Sequence, residues 1–298
     1  SYAYEWCASH SGITGAFQLA RRASRFGRHN YGICRDLTKG DRRHPRFSKI
    51  EAGRLDLDYQ PVSTQNEVEQ ACLGLCSFAR EKKVSLSLFT DPNLPPWIMS
   101  DPVRLKQILN NLISNAVKFS AENSSGARVH VSASCEKEHI VFKVRDNGIG
   151  MSIEDQGKLF QPFVQAESST TRRFGGTGLG LSIVRRLIDM FDGDISLQST
   201  PGEGSEFTIA LPFDVPKDAP PPQSYQSLED LRCILVDTQE PERILERQVY
   251  IEQAGAESTI CADLFAVEQA ISRRSGTTED ADVKCPYVVI IEGDRQEV

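Results

Sequence analysis

No stretch of this chain approaches the roughly 20 consecutive apolar residues that a membrane helix needs, and no signal-peptide pattern opens it. A soluble, cytoplasmic fragment is therefore expected. The eight cysteines, at 7, 34, 72, 76, 135, 233, 261 and 285, show no zinc-ligand spacing. Cys72 and Cys76 stand one helical turn apart in an apolar context, so they read as reduced, buried or partly buried thiols. The one glycine-rich run lacks the hydrophobic strand that a dinucleotide-binding turn requires, because Gln165 to Thr171 is polar. What remains is ordinary for a globular protein: 298 residues, 25% charged and 39% hydrophobic, a length that fits two domains.

The glycine-rich run itself is Arg172-Arg173-Phe174-Gly175-Gly176-Thr177-Gly178-Leu179-Gly180-Leu181. Glycines let consecutive N–H groups close on phosphate oxygens, and the helix that follows adds its dipole, so an anion is expected here. Three other segments join it. Asp101-Pro102 reads as an N-cap and first helical residue, followed at helical spacing by Leu105, Ile108, Leu109, Leu112, Ala116 and Phe119. On the same helix Asn111, Asn115 and Lys118 fall four and three residues apart and share one side; taken singly, each reads first as part of a solvated polar face. Asp146-Asn147-Gly148-Ile149-Gly150 places a carboxylate and a tight turn at the end of the strand Ile140 to Val144. Gly202 to Pro212 reads as a hairpin return strand, and Phe160-Gln161-Pro162-Phe163 begins the loop that leads to the glycines.

In this order the segments resemble the ATP-binding catalytic domain of sensor histidine kinases, of the GHKL superfamily with DNA gyrase and MutL. The resemblance covers about Ile50 to Phe213 and includes the N, G1, F, G2 and G3 boxes. It implies an α/β fold, a two-layer GHKL (Bergerat) sandwich with a mixed sheet covered by helices on one face. It implies ATP and Mg²⁺ as cofactors, with Asn115 as the metal ligand and Lys118 on a phosphate. Asp146 would accept from the adenine amine, while Gly148 and Gly150 pass close to the base. Gly176, Thr177, Gly178, Leu179 and Gly180 would hold the triphosphate under a lid running from Phe160 to Phe174, with Arg172 or Arg173 at the γ-phosphate. GHKL ATPases place a glutamate general base four residues before the metal ligand; here Asn111 stands there, and an amide cannot take a proton from water. The resemblance thus implies phosphoryl transfer to an acceptor rather than hydrolysis.

Phe47-Ser48-Lys49-Ile50-Glu51-Ala52-Gly53 resembles the end of the family's dimerisation and phosphoacceptor hairpin. A histidine is expected upstream, yet histidines 10, 29, 44, 130 and 139 all lack the following acidic residue, apolar residue and arginine. Residues 1–49 carry ten Lys/Arg against three Asp/Glu, which reads as a basic nucleic-acid arm, a disordered tail or a third thing. Codons chosen for Ser1 to Cys7, read one base later, give R-T-P-M-N-G, the family sequence after H-E-I; those for Arg43 to Phe47 give D-I-L-D-F. The expectation is a remnant or frameshifted hairpin in 1–49, with no nucleic-acid partner.

Asp214 to Ser227, with prolines 216, 220, 221 and 222, reads as an extended linker over 214–227. From 228 to 298 the chain resembles a partial flavodoxin-like receiver. Leu231 to Asp237 is its first strand, Glu242 to Ala254 its first helix and Tyr287 to Ile291 its third strand. A receiver pairs acids for Mg²⁺ beside an aspartate nucleophile; here Thr238 follows Asp237 and Glu292 takes the nucleophile's place, which implies an inert module. The family resemblance also implies partners: a histidine-containing dimerisation hairpin, a downstream receiver domain, and a second copy in a homodimeric parent that upstream regions could anchor to a membrane.

Overall fold

The computed structural model describes residues 56–121, 123, 126–160, 180–219, 227–229, 231–237, 241–275 and 287–292. The chain divides into two compact units near Pro220.

The first unit begins with strand β1 (Gln60–Val62) and helix α1 (Thr64–Glu81). Ser63 caps α1, its hydroxyl accepting from the Asn66 N–H at 3.4 Å, and Val68, Ala71, Cys72, Leu75 and Ala79 form the buried stripe. β2 (Ser85–Thr90) and β3 (Ile98–Ser100) follow, then α2 (Pro102–Ser120). Asp101 and Pro102 start α2 as the sequence predicts, with Asp101 Oδ1 accepting from the N–H groups of Val103 and Arg104, each at 3.0 Å. Leu105, Ile108, Leu109, Leu112 and Ala116 are buried as expected, joined by Ile113 and Val117. Phe119 is the exception. It lies at the edge of the stripe, only partly buried, and its ring carries the Lys118 ammonium at 4.9 Å.

Strands β4 (Arg128–Glu136) and β5 (His139–Asp146), the short helix α3 (Ile153–Gln156), helix α4 (Gly180–Met190) and the hairpin β6 (Asp194–Thr200) and β7 (Gly204–Pro212) complete the unit. The sheet order is β2-β4-β5-β7-β6, with β2 and β4 parallel and every other pair antiparallel. Side chains alternate across it. Val129, Val131, Phe142, Val144, Phe207 and Ile209 are buried with the apolar stripes of α1, α2 and α4, whereas His130, Ser132, Lys143, Glu206 and Thr208 on the other face are half-exposed. Each fully buried Leu or Ile contributes about 1.5–3 kcal/mol, so the helices are fastened to this one face. The result is a mixed sheet layered with helices.

One feature was not foreseen and one expectation needs adjusting. β1 pairs antiparallel with β3 in a separate small sheet, which had no signal in the sequence. Asp214 is not free linker: its carbonyl accepts from the Met99 N–H at 2.8 Å, so the fold extends past Phe213.

The second unit holds β8 (Arg232–Asp237), α5 (Pro241–Gln253), β9 (Glu257–Cys261), α6 (Leu264–Ser275) and β10 (Tyr287–Glu292). All strand pairs are parallel, in the order β10-β8-β9. Central β8 sends Cys233 and Leu235 into one cluster with Ile244 and Ile251, and Ile234 and Val236 into another with Cys261 and Val267. It is therefore covered on both faces, as parallel sheets are. The register sets Glu292 opposite Asp237 at the strand ends.

Candidate functional site

The polar side of α2 is one wall of the site. Asn111, Asn115 and Lys118 are all half-buried, so this face is neither core nor freely solvated. Asn111 donates through Nδ2 to the Gln107 carbonyl at 2.9 Å. That leaves its Oδ1 directed outward, 3.3 Å from where a Cβ on Gly180 would stand. The first residue of α4 thus meets the middle of α2, bringing together residues 69 positions apart. Burial lowers the Lys118 pKa from its ordinary value, and the ammonium rests above the Phe119 ring.

The second wall is the turn after β5. Asp146 is 7% exposed; its Oδ1 accepts from the Gly148 N–H at 2.8 Å. Burial pushes its carboxyl up to about 6, outweighing the backbone N–H groups of Gly148 and Ser205 that act to lower it. A buried carboxylate whose donors do not offset its desolvation can take one more donor from a ligand. A Cβ on Gly148 would stand 2.5 Å from the Phe119 carbonyl oxygen and 2.8 Å from Asp146 Oδ1, so only glycine lets this turn press against the last turn of α2. Gly150 has φ +63°, and a side chain there would run into the Thr200 carbonyl. Both glycines face the protein's own backbone, a reason for glycine that sequence reading did not supply.

Sequence reading also missed the residue that fastens the two walls. Asn147 accepts through Oδ1 from the Arg128 N–H (2.7 Å), donates through Nδ2 to the Gly126 carbonyl (2.8 Å), and takes the Asn123 Nδ2–H on its own carbonyl (2.6 Å). These bonds tie the turn to the segment between α2 and β4. The only signal was the Asp-Asn-Gly turn itself, which says nothing of a partner 20 residues away.

Phe160 is partly buried against the core beside Leu159 and Met151. Arg172, Arg173, Gly176, Thr177, Gly178 and Leu179 lie outside the described residues. Among the described residues no three His, Cys, Asp or Glu side chains gather as a metal site, and no helix is long and apolar enough to cross a membrane. The five described cysteines, Cys72, Cys76, Cys135, Cys233 and Cys261, form no disulfides among themselves.

The donor set suits an adenine nucleotide. A desolvated carboxylate stands ready for an amine, and a half-buried ammonium and two asparagine amides line the helix between it and the start of α4. Residues 100–215 match the family model described as histidine kinase-, DNA gyrase B-, and HSP90-like ATPase. Among curated proteins, the chain is similar to sensor histidine kinase GacS of Pseudomonas protegens, 39% identical over 232 residues, which cover 76% of this chain and 25% of that protein. It is also similar to sensor histidine kinase RcsC of Escherichia coli K12, 35% identical over 189 residues, covering 63% of this chain and 19% of that protein. The chain thus spans a quarter or less of the length of these relatives. Among solved structures it is similar to full-length ShkA in complex with AMPPNP, with a TM-score of 0.60 and 28% identity over 84% of this chain and 49% of that one.

Proposed function

From the premise that residues 100–215 form a histidine-kinase catalytic domain homologous to those of known sensor kinases, we propose that segment 50–213 binds Mg-ATP and passes the γ-phosphoryl group to a histidine. Asp146 accepts from the adenine amine. Lys118 contacts phosphate, and Gly176 to Gly180 with the N-terminus of α4 cradle the triphosphate. Arg172 or Arg173 reaches the γ-phosphate beneath the segment that begins at Phe160. Asn115 would hold Mg²⁺, which when bound neutralises phosphate charge.

The observation that carries this reading is the state of Asn111. Its Nδ2 is committed to the Gln107 carbonyl and its Oδ1 faces Gly180, so no group at this position removes a proton from water. Transfer to an acceptor is favoured over hydrolysis.

The acceptor must come from elsewhere, because no histidine of the chain stands in a phosphoacceptor context. In this reading 1–49 is a remnant or frameshifted hairpin, and the proline-rich stretch after Asp214, to 227, is a linker. The partners are an intact histidine-bearing hairpin and a receiver, and the parent is a homodimer working in the cytoplasm. Region 228–298 is part of an inert flavodoxin-like receiver, a reading supported by its parallel sheet with the first strand central. The GacS alignment is also longer, at 232 residues, than segment 50–213. The histidine inventory equally favours a second reading, a nucleotide-binding remnant without transfer.

One experiment separates the two. The chain is incubated with radiolabelled Mg-ATP, alone and with a supplied hairpin from a related kinase. Label on the hairpin that is acid-labile and base-stable, with none on the chain, supports the kinase. Nucleotide binding without any transfer supports the remnant, and steady release of ADP and phosphate without hairpin would overturn the role given to Asn111.

A further inference from the structure

The segment leading into the first unit is held by the carboxylate that caps α2. Asp101 is 4% exposed. While its Oδ1 caps the helix, its Oδ2 accepts from the Asp58 N–H at 3.1 Å. The next residue, Tyr59, sets its ring edge-on to Phe191, just beyond α4, with centroids 6.2 Å apart and planes at 86°. β1 then pairs with β3, in the register Gln60 to Ser100, and β3 runs directly into Asp101. The Met99 N–H of β3 holds the Asp214 carbonyl on its way out of the unit. Lead-in, lead-out and the start of α2 therefore meet at one three-residue strand.

Two of these contacts fall on the two helices that frame the site. Asp58 is tied to the first turn of α2 and Tyr59 packs at the far end of α4, while Asn111 and Gly180 face each other further along the same pair. Both helices are packed through fully buried side chains, Leu105, Ile108, Leu109, Leu187 and Ile188 among them, and close-packed elements transmit displacement rather than absorb it. We propose that Asp101 is a positioning residue that couples docking of the lead-in segment Asp58–Val62 to nucleotide affinity. With the segment docked, α2 and α4 keep the spacing that nucleotide requires. With it released, nucleotide binds less tightly, and by reciprocity bound nucleotide holds the segment in place.

This inference rests on the nucleotide reading above, and the variants are chosen to test it separately. Asp101→Asn keeps a carbonyl oxygen to cap α2, but its NH₂ cannot accept from Asp58. Asp58→Pro removes the donor and leaves Asp101 intact. Asp56→Pro, at an exposed position ahead of the contact, controls for the proline. Full-chain proteins are titrated with a fluorescent ATP analogue and Mg²⁺, after circular dichroism shows them folded, and amide exchange over 58–62 is followed with and without nucleotide. Asp101→Asn and Asp58→Pro should each weaken binding by about fivefold or more, their combination should be no worse than the weaker-binding single variant, and nucleotide should slow exchange over 58–62 in the wild type. Wild-type binding with both variants within about twofold of it, or with exchange over 58–62 unmoved by nucleotide, would overturn the coupling alone. A wild type that binds no nucleotide sinks the nucleotide reading, and the coupling with it.

Discussion

Asn111 and Gly180 meet across two helices, with Asn111 Oδ1 3.3 Å from the place a Cβ on Gly180 would take. Separation this tight obliges the amide to move by a few tenths of an ångström for any side chain at 180. Gly180→Ala therefore opposes two effects. The helix gains at most about 0.5–1 kcal/mol from losing a glycine at its first residue, while the site loses its Asn111 geometry. The expected outcome is a melting temperature at or above wild type with nucleotide affinity reduced about threefold or more, on the order of 0.7 kcal/mol. Thermal melts beside a Mg-ATP titration check this, and unchanged affinity would show that Asn111 has room to spare.

Asp146 makes the site sensitive to pH. Its carboxyl ionises near 3.8 when unperturbed but at about 6 in the folded protein. Between those values the folded chain holds more proton than the unfolded one, so stability falls as pH rises through this window. The ionised carboxylate at neutral pH costs the apo protein on the order of 2–3 kcal/mol. Asp146→Asn removes that cost. Its apo melting temperature relative to wild type should be highest at pH 7.5 and should decline toward pH 4.5.

Nucleotide binding should show the opposite dependence, because only the ionised carboxylate is a pure acceptor. Affinity is expected to fall about tenfold per pH unit below about 6, and Asp146→Ala at pH 7.5 should lose on the order of 1–3 kcal/mol by leaving the adenine amine unpaired. Isothermal titration across pH 5 to about 8 reads this out. A flat profile would remove Asp146 from the adenine contact.

Gly148→Ala drives a methyl into the Phe119 carbonyl and the Asp146 carboxylate. Neither is the far end of a flexible chain, so about 1–3 kcal/mol of stability should be lost, with nucleotide affinity falling alongside. Asn147→Ala should cost less, about 0.5–1.5 kcal/mol, because water can replace the partners lost by the exposed Arg128 N–H and Gly126 carbonyl. Urea unfolding of both variants measures it, and a wild-type midpoint in either would show that the turn relaxes freely.

In the second unit, Glu292 stands opposite Asp237 at the strand ends; in the receiver reading proposed above it takes the place of an aspartate nucleophile and is one methylene longer. An in-line geometry does not tolerate that displacement. The chain should gain no phosphate mass from acetyl phosphate and Mg²⁺, and protease should cut within 228–298 sooner than within 56–213. A phosphorylated peptide containing Glu292 or Asp294 would refute the inert reading.

Much of the first unit was legible in the sequence because it is encoded locally. The cap at Asp101-Pro102, the apolar stripe of α2 and the Asp146 turn each depend on neighbours within a few residues, where helical and strand periodicity act directly. The same locality placed Asn111, Asn115 and Lys118 on one side of α2. It misjudged Phe119, because an edge position on a stripe becomes core or rim according to what packs over it, and here the ring stays partly exposed beneath the Lys118 ammonium. Only the tertiary structure decided that Asn111 faces Gly180, that Asn147 ties the β5 turn to Gly126 and Arg128, and that Asp101 holds Asp58 as well as its own helix. Those relationships join residues 19 to 69 positions apart, a separation that hydrophobic periodicity does not see. They arise when backbone and side-chain polar groups find partners among whatever elements the packed sheet and helices bring within reach.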